Sequence, residues 1–242
     1  MGFLDNLKQD FQNSGLGRLL GYQGASTTAP PQVNFYNISG AQLTQDHRVR
    51  IKVPSSYITP YTNGGVHAAI KNLGGIIFPY TPQITTEHKA DYTNSNQMHS
   101  NYSQHFYQRS SVGSISITGK FTVQSAEDAE IYLSTIQLLR VLTKMQANGD
   151  PYAGSPPPVC RLYAYGTYMM DNVPVAITSF RNDLPDNVDY FSLPSNSIFK
   201  DTAVPTVSTI TINLLPMYSR AEQQAFTVTG WVNGELNGKG YL

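Results

Sequence analysis

Residues 111–123 constrain the fold more than any other segment. Ile115, Ile117, Phe121 and Val123 recur on one side of a period-two pattern, and Ser114, Ser116, Thr118, Lys120 and Thr122 on the other. Alternation at that period marks a strand with one buried and one wet face. The run Ser125-Ala126-Glu127-Asp128 follows at once and has the spacing of a capping box, with Asp in place of the usual Glu or Gln. It predicts a helix from Ser125 to about residue 147, stopped by Asn148 and Gly149. Glu127, Asp128 and Glu130 sit at its start and Arg140 and Lys144 near its end, both favourable to the helix dipole. Ile131, Leu138, Leu142 and Met145 form one stripe, with Tyr132, Ile136 and Leu139 beside it. So wide an apolar face needs a sheet to cover it.

Other strands are legible around this unit. Val49, Ile51 and Val53 alternate with Arg48, Arg50 and Lys52, giving a half-buried strand with a basic outer face that reads as solvated surface. Residues 76–92 read as one or two strands broken by Pro79 and Pro82. Val159 to Tyr165 is a strand, Met170-Asp171-Asn172 a turn, Val173 to Phe180 the returning strand, and Thr206 to Leu215 a long one with Ile210, Ile212 and Leu214 on a shared face. Residues 93–109 and 181–203 read as long polar loops, a length usually tied to function or to ordering by a partner. Ser219 and Glu222 have capping-box spacing, and the end after Trp231, rich in Gly and Asn, reads as extended. The pattern is mainly β: a β-barrel or sandwich with one packed α-helix (about 125–147). At the start, Phe3, Leu4, Leu7 and Phe11 predict a short amphipathic helix, followed by a linker over residues 21–32. The expected organisation is therefore an N-terminal helix and linker (1–32) acting as a docking arm, a β domain (33–228) and a polar C-terminal tail (229–242).

Composition narrows function. Charged residues are only 13% of the 242, with 16 Lys plus Arg against 16 Asp plus Glu. Asn, Gln, Ser and Thr supply 74 residues in their place. Zero net charge gives no global attraction to nucleic acid or acidic lipid, and little repulsion between copies. The charge is divided along the chain: residues 1–124 carry 9 basic and 5 acidic side chains, residues 125–242 carry 7 and 11. One cysteine, Cys160, excludes an internal disulfide and reads as a buried structural thiol. No apolar run approaches the roughly 20 residues of a membrane span, and Asp5, Asn6 and Asp10 interrupt any signal-peptide pattern.

No pattern for catalytic or metal chemistry is complete in the sequence. His47, His67, His88, His99 and His105 form no zinc signature; His99 and His105 lie six apart without an evident third ligand. Asp183, Asp186 and Asp189 recur every three residues but lack the Gly and terminal Glu of a calcium loop, and read as turn and cap acids. Gly15 to Gly21 has the wrong spacing and the wrong preceding element for a dinucleotide fingerprint. No nucleophile, base and orienting group assemble, so neither an enzyme nor a cofactor is expected.

Three segments, taken in order, carry a resemblance: GSISITGKFTVQSAEDAEIYLSTIQLLRVLTKM, within residues 102–145; NVPVAITSFRNDLPDNVDYF, residues 172–191; and VPTVSTITINLLPMYSR, residues 204–220. In their succession of strand, helix, strand, loop and long strand they resemble the baseplate tube proteins of contractile-tailed bacteriophages, over about residues 76–225. That family is similar in fold to the tail tube and the type VI secretion tube. The resemblance implies a tail-tube-like barrel or sandwich and a virion structural protein without an active site. It also implies a homo-oligomeric ring, hexameric in the family, assembled in the host cytoplasm. The ring would join the central hub to the tail tube, start tube assembly and form part of the DNA conduit, without membrane insertion. Phe3, Leu4, Leu7 and Phe11 are the candidate residues for docking on the hub or a neighbouring ring. Two other readings are weighed: the main tail tube or a tail-completion ring, and, from another class, a carbohydrate-binding β-sandwich whose tyrosines stack on sugars.

Overall fold

The computed structural model describes residues 47–54, 68–70, 73–96, 98–146 and 153–242. Its strands are β1 (Arg50–Lys52), β2 (Gly75–Ile77), β3 (Gln83–Thr85), β4 (His88–Ser95), β5 (Gln104–Val112), β6 (Ile115–Thr122), β7 (Val159–Ala164), β8 (Met170–Asp183), β9 (Tyr190–Ser192), β10 (Ala203–Pro205) and β11 (Val207–Pro216). Its helices are α1 (Ala126–Leu142), α2 (Arg220–Ala225) and α3 (Val228–Val232). The protein is mainly β. Seven strands form an antiparallel sheet in the order β2-β1-β7-β8-β11-β6-β3.

The connectivity forces this sheet to curl. Its edge strands β2 and β3 are consecutive in the chain, so only six Cα steps join Ile77 to Gln83. Six steps reach at most roughly 22 Å. Seven strands laid flat would hold their edges about 29 Å apart. The connecting residues bridge the curl: the Phe78 N–H donates to the Val49 carbonyl (3.0 Å), the Tyr80 hydroxyl meets Thr122 Oγ1 (2.9 Å), and the Tyr165 hydroxyl donates to the Pro82 carbonyl (3.3 Å). Of the expected barrel or sandwich, a closed barrel is nevertheless not formed among the described residues. β2 pairs with β1 and β3 with β6, but no ladder joins β2 to β3. The chain turns out of β2 after three residues, and the buried Phe78 ring fills the seam against Phe121 of β6, centroids 5.7 Å apart.

The inner face of the sheet is the core. Ile51, Ile115, Ile117, Phe121, Cys160, Leu162, Val173, Val175, Ile210, Ile212 and Leu214 are buried there, in the alternation expected of one-sided strands. α1 covers this face through Ala129, Tyr132, Ile136, Leu139 and Leu142, with Tyr132 packed on Phe121 at 6.1 Å. Its capping box is formed as expected. The Asp128 N–H donates to Ser125 Oγ (3.2 Å), and the Asp128 carboxylate accepts from the Ser125 N–H (3.1 Å). The helix ends at Leu142, five residues short of the expected boundary. Thr143 turns its hydroxyl back onto the Leu139 and Arg140 carbonyls (3.1 and 3.2 Å) and caps it there.

Four further expectations are corrected. Residues 93–109 are only partly loop: 93–95 end β4 and 104–109 begin β5 of the β4–β5 hairpin. Within residues 181–203 the end of β8 and the β9–β10 pair are ordered strand. The turn expected at 170–172 lies at 165–169, where Tyr165 and Gly166 both have positive φ, and β8 begins at Met170. The C-terminal end is not extended: residues 228–232 are helical and 233–240 form successive turns. The amphipathic run Phe3, Leu4, Leu7 and Phe11, and the linker after it, lie outside the described residues.

Candidate assembly surface

Three surfaces on this scaffold stand apart from ordinary solvated exterior. The first is the β4–β5 hairpin. Among the described residues its strands pair only with each other, from His88↔Val112 to Ser95↔Gln104, with Gln108 bulged between the Asp91↔Arg109 and Tyr92↔Tyr107 pairs. β4 alone spans roughly 27 Å at the usual strand rise. Only Asp91, Ser95 and Val112 of its described strand residues are even half-buried. Tyr92 and Tyr107, 61% and 58% exposed, meet edge-on on one face at 5.8 Å between centroids. On the opposite face Asp91 accepts from Lys89 Nζ and Arg109 Nε, each at 2.8 Å. The two cations hold the Asp91 carboxyl below the usual carboxylate range, through hydrogen bonds from Lys89 and then Arg109, and Asp91 in turn raises the Lys89 ammonium. Glu87, two residues before Lys89, also acts on it, so two acids stand against the two cations at the base of the hairpin.

The second surface is the outer face of β6, β11 and β8. The register puts three rows across it: Ser116, Asn213 and Ser179; Thr118, Thr211 and Arg181; Lys120, Thr209 and Asp183. Thr118 and Thr211 share a hydrogen bond at 3.1 Å and Asn213 donates to Ser179 at 3.0 Å, while Arg181 pairs with Asp183. The face is mostly neutral and polar, with Lys120 and Arg181 against Asp183. Its neighbour, the outer face of β7 and β1, behaves differently. Arg50 lies over the Tyr163 ring (5.0 Å), and Arg161 reaches the Asn172 carbonyl (3.2 Å) and the Glu222 carboxylate (3.6 Å). Of the strand expected to carry a solvated basic face, Arg50 is engaged with a tyrosine and Lys52 is exposed, while Arg161 of β7 holds α2.

The third is a cleft of about 530 Å³ between the base of the hairpin (Ala90, Ser110, Val112) and the C-terminal aromatics Tyr218, Phe226 and Tyr241. The Tyr218 and Tyr241 rings stack with centroids 5.8 Å apart, and Phe226 packs on both Tyr241 and Trp231.

The residues weighed for metal chemistry do not converge. His99 sits in the hairpin turn with φ 64°, and His105 lies on β5 opposite Asn94. Asp183 closes β8, and Asp186 and Asp189 follow on exposed chain. Among the described residues no three His, Cys, Asp or Glu side chains gather as a metal site, and no helix is long and apolar enough to cross a membrane. Cys160 is fully buried in β7, and burial pushes its thiol up to about 12. The candidate docking residues Phe3, Leu4, Leu7 and Phe11 are outside the described residues. Sequence reasoning missed Tyr92, Phe106 and Tyr107 as surface features. The available signal was the β propensity of Tyr, Thr and Phe in that stretch, which survives without an apolar face. No protein-family model matches the chain, and no characterised protein matches it either.

Proposed function

We propose that this chain is a ring-forming structural subunit of a contractile phage tail, the baseplate tube component that joins the hub to the tail tube and starts tube assembly. The observation that carries the reading is the β4–β5 hairpin. A lone two-stranded ribbon is marginal in water, yet this one stands almost fully exposed with Tyr92, Phe106 and Tyr107 on it. Such a ribbon gains its stability, and hides its strand edges, when other subunits cover it. The order of strand, helix, strand and long final strand, on which the likeness to tail-tube-like folds rests, supports the same reading. In it the hydroxyl- and amide-rich face of β6, β11 and β8, with Arg181 paired to Asp183, lines the conduit. Mechanism is assembly, with no catalytic step and no cofactor. The run Phe3, Leu4, Leu7 and Phe11 is the arm that docks on the hub or an adjacent ring.

Negative-stain imaging of the purified full chain, alone and with hub proteins, tests this. Closed rings are the expected result; a persistent monomer in both conditions overturns it. A chain lacking residues 1–20 is expected to stay folded but fail to assemble on the hub, and normal assembly of that chain removes the docking arm from the proposal.

A further inference from the structure

We propose that the Asn237-Gly238 peptide, in the C-terminal turns, is a self-modifying site. It cyclises to a succinimide and opens to aspartate or isoaspartate, while Asn233-Gly234, four residues earlier, is held against the same reaction.

Asparagine is among the chemically labile residues. It is most so before glycine, whose nitrogen reaches the side-chain amide with no Cβ in the way. Four Asn-Gly pairs occur in the chain, at Asn63, Asn148, Asn233 and Asn237. The first two lie outside the described residues. The last two stand close together at the end of α3 and in the turns after it, and their surroundings differ. The reacting nitrogen of the earlier pair is tied down. Asn233 caps α3 in helical geometry (φ −76°, ψ −5°), and the Gly234 N–H donates to the Trp231 carbonyl at 3.0 Å. At the later pair only the neighbours are engaged. The Asn237 N–H donates to the Gly234 carbonyl (3.2 Å) and the Lys239 N–H to the Leu236 carbonyl (3.1 Å). The Gly238 N–H between them has no acceptor among the described residues. Asn237 and Gly238 also line a cavity of about 200 Å³ beside the 165–169 turn. That is ample room for water.

The reaction balances with water as the sole co-reactant. The Gly238 nitrogen gives its proton to solvent base and bonds to Asn237 Cγ. The Cγ–Nδ2 bond breaks, and Nδ2 takes up a proton and leaves as ammonia. Water then opens the ring. Attack at Cγ gives aspartate; attack at the main-chain carbonyl gives isoaspartate, which lengthens the backbone by a methylene. Either product puts a carboxylate on the cavity that Asp171 also lines. Gly238 is closely seated there: a Cβ placed on it would lie 3.2 Å from Thr167 Cγ2 and 3.3 Å from Asp171 Oδ2. Conversion sets like charges against each other at this contact and loosens the C-terminal turns.

Mass mapping of peptides over time tests the site, with the full chain held folded in mildly alkaline buffer and, separately, in denaturant. Each pair's folded rate is taken relative to its own rate in denaturant. On that scale Asn237 is expected to convert at least about tenfold faster than Asn233, because the Gly234 N–H must first break its hydrogen bond. Equal relative rates, or faster conversion at Asn233, overturn the proposal. Emission from Trp231, which lines the same cavity, is expected to move to longer wavelength as Asn237 converts, and to stay constant in Asn237→Gln. Conversion with no shift in wild type, or the same shift in Asn237→Gln, overturns the loosening and leaves the modification site to the rate comparison.

Discussion

The ring of Phe78 lies directly over the backbone of Gly119: a Cβ placed on Gly119 would come within 2.4 Å of Phe78 Cδ1 and 2.7 Å of Cε1. Phe78 follows β2 at one edge of the sheet, and Gly119 belongs to β6, one strand in from the other edge. The side chain fills the seam that hydrogen bonds leave open. Glycine in mid-strand ordinarily weakens a strand; here it makes room for the ring that holds the curl.

This relationship is measurable as a coupling. Gly119→Ala forces the buried ring aside and is expected to cost about 1–3 kcal/mol. Phe78→Ala removes the plug and is expected to cost about 3–5 kcal/mol. With the ring gone, the methyl at 119 has space, so Gly119→Ala should cost far less in the Phe78→Ala background. Urea unfolding of the four proteins gives the coupling energy, expected above about 1 kcal/mol. Costs that simply add would mean that ring and backbone do not touch.

The C-terminal turns should prove separable from the sheet. Gly240 has φ +90°, and a Cβ there would lie 2.4 Å from the Asn172 carbonyl oxygen of β8. Gly240→Ala therefore meets both a left-handed backbone and a backbone collision. The expected outcome is release of the end of the chain with the sheet intact. Trp231, the only tryptophan, packs on Phe226 at 6.2 Å and reports the change. Its emission should shift to longer wavelength while the far-ultraviolet circular dichroism of the sheet is retained.

Acid should act on the same region. Glu222 is held below its ordinary pKa of 4.5, first by the Ser219 backbone N–H (2.7 Å), which donates to its carboxylate, and to a lesser degree by Arg161. A carboxyl whose folded pKa is depressed binds fewer protons folded than unfolded. Its stabilisation is thus present above pH 4.5 and is lost as pH falls through the lower, folded value. Glu222→Gln is expected to weaken α2 at pH 7 and to remove this part of the acid response. Stability of wild type and variant, followed by Trp231 emission from pH 7 to 3, should converge below pH 4.5. A constant difference across that range would show that the carboxylate charge is not what holds the cap.

How far the sequence foretells these features depends on where the apolar groups lie. β6, α1 and β11 were legible because their buried positions recur at the period of the element, and Ser125 and Ser219 announce their helices through local capping bonds. The β4–β5 hairpin was not, since both of its faces are exposed and Tyr92, Thr93 and Asn94 follow one another without a buried side. The seam at Phe78 was hidden for another reason. It depends on the order β2-β1-β7-β8-β11-β6-β3, a set of long-range pairings that no local pattern encodes. The helix end moved from 147 to Leu142 through a single threonine hydroxyl, a competition between side chain and backbone that propensity does not resolve.

Cys160 offers a probe of the core itself. Its strand, β7, runs between β1 and β8 inside the sheet, and the thiol is fully buried with Sγ 3.9 Å from the Pro158 carbonyl. Burial raises its pKa to about 12, so at pH 8 the native thiol is scarcely ionised, and only the thiolate attacks a disulfide reagent. Reaction then requires that β7 open, and the rate reports the free energy of that opening. Because the chain has one cysteine, every labelling event belongs to this site. In native buffer at pH 8 labelling should be slower than in denaturant by a factor on the order of a thousand or more. Phe78→Ala, which loosens the seam, should accelerate labelling in proportion to its loss of stability if the sheet opens as one unit. If labelling stays slow while global stability falls, β7 and the seam open independently, and the curled sheet comprises two cooperative parts.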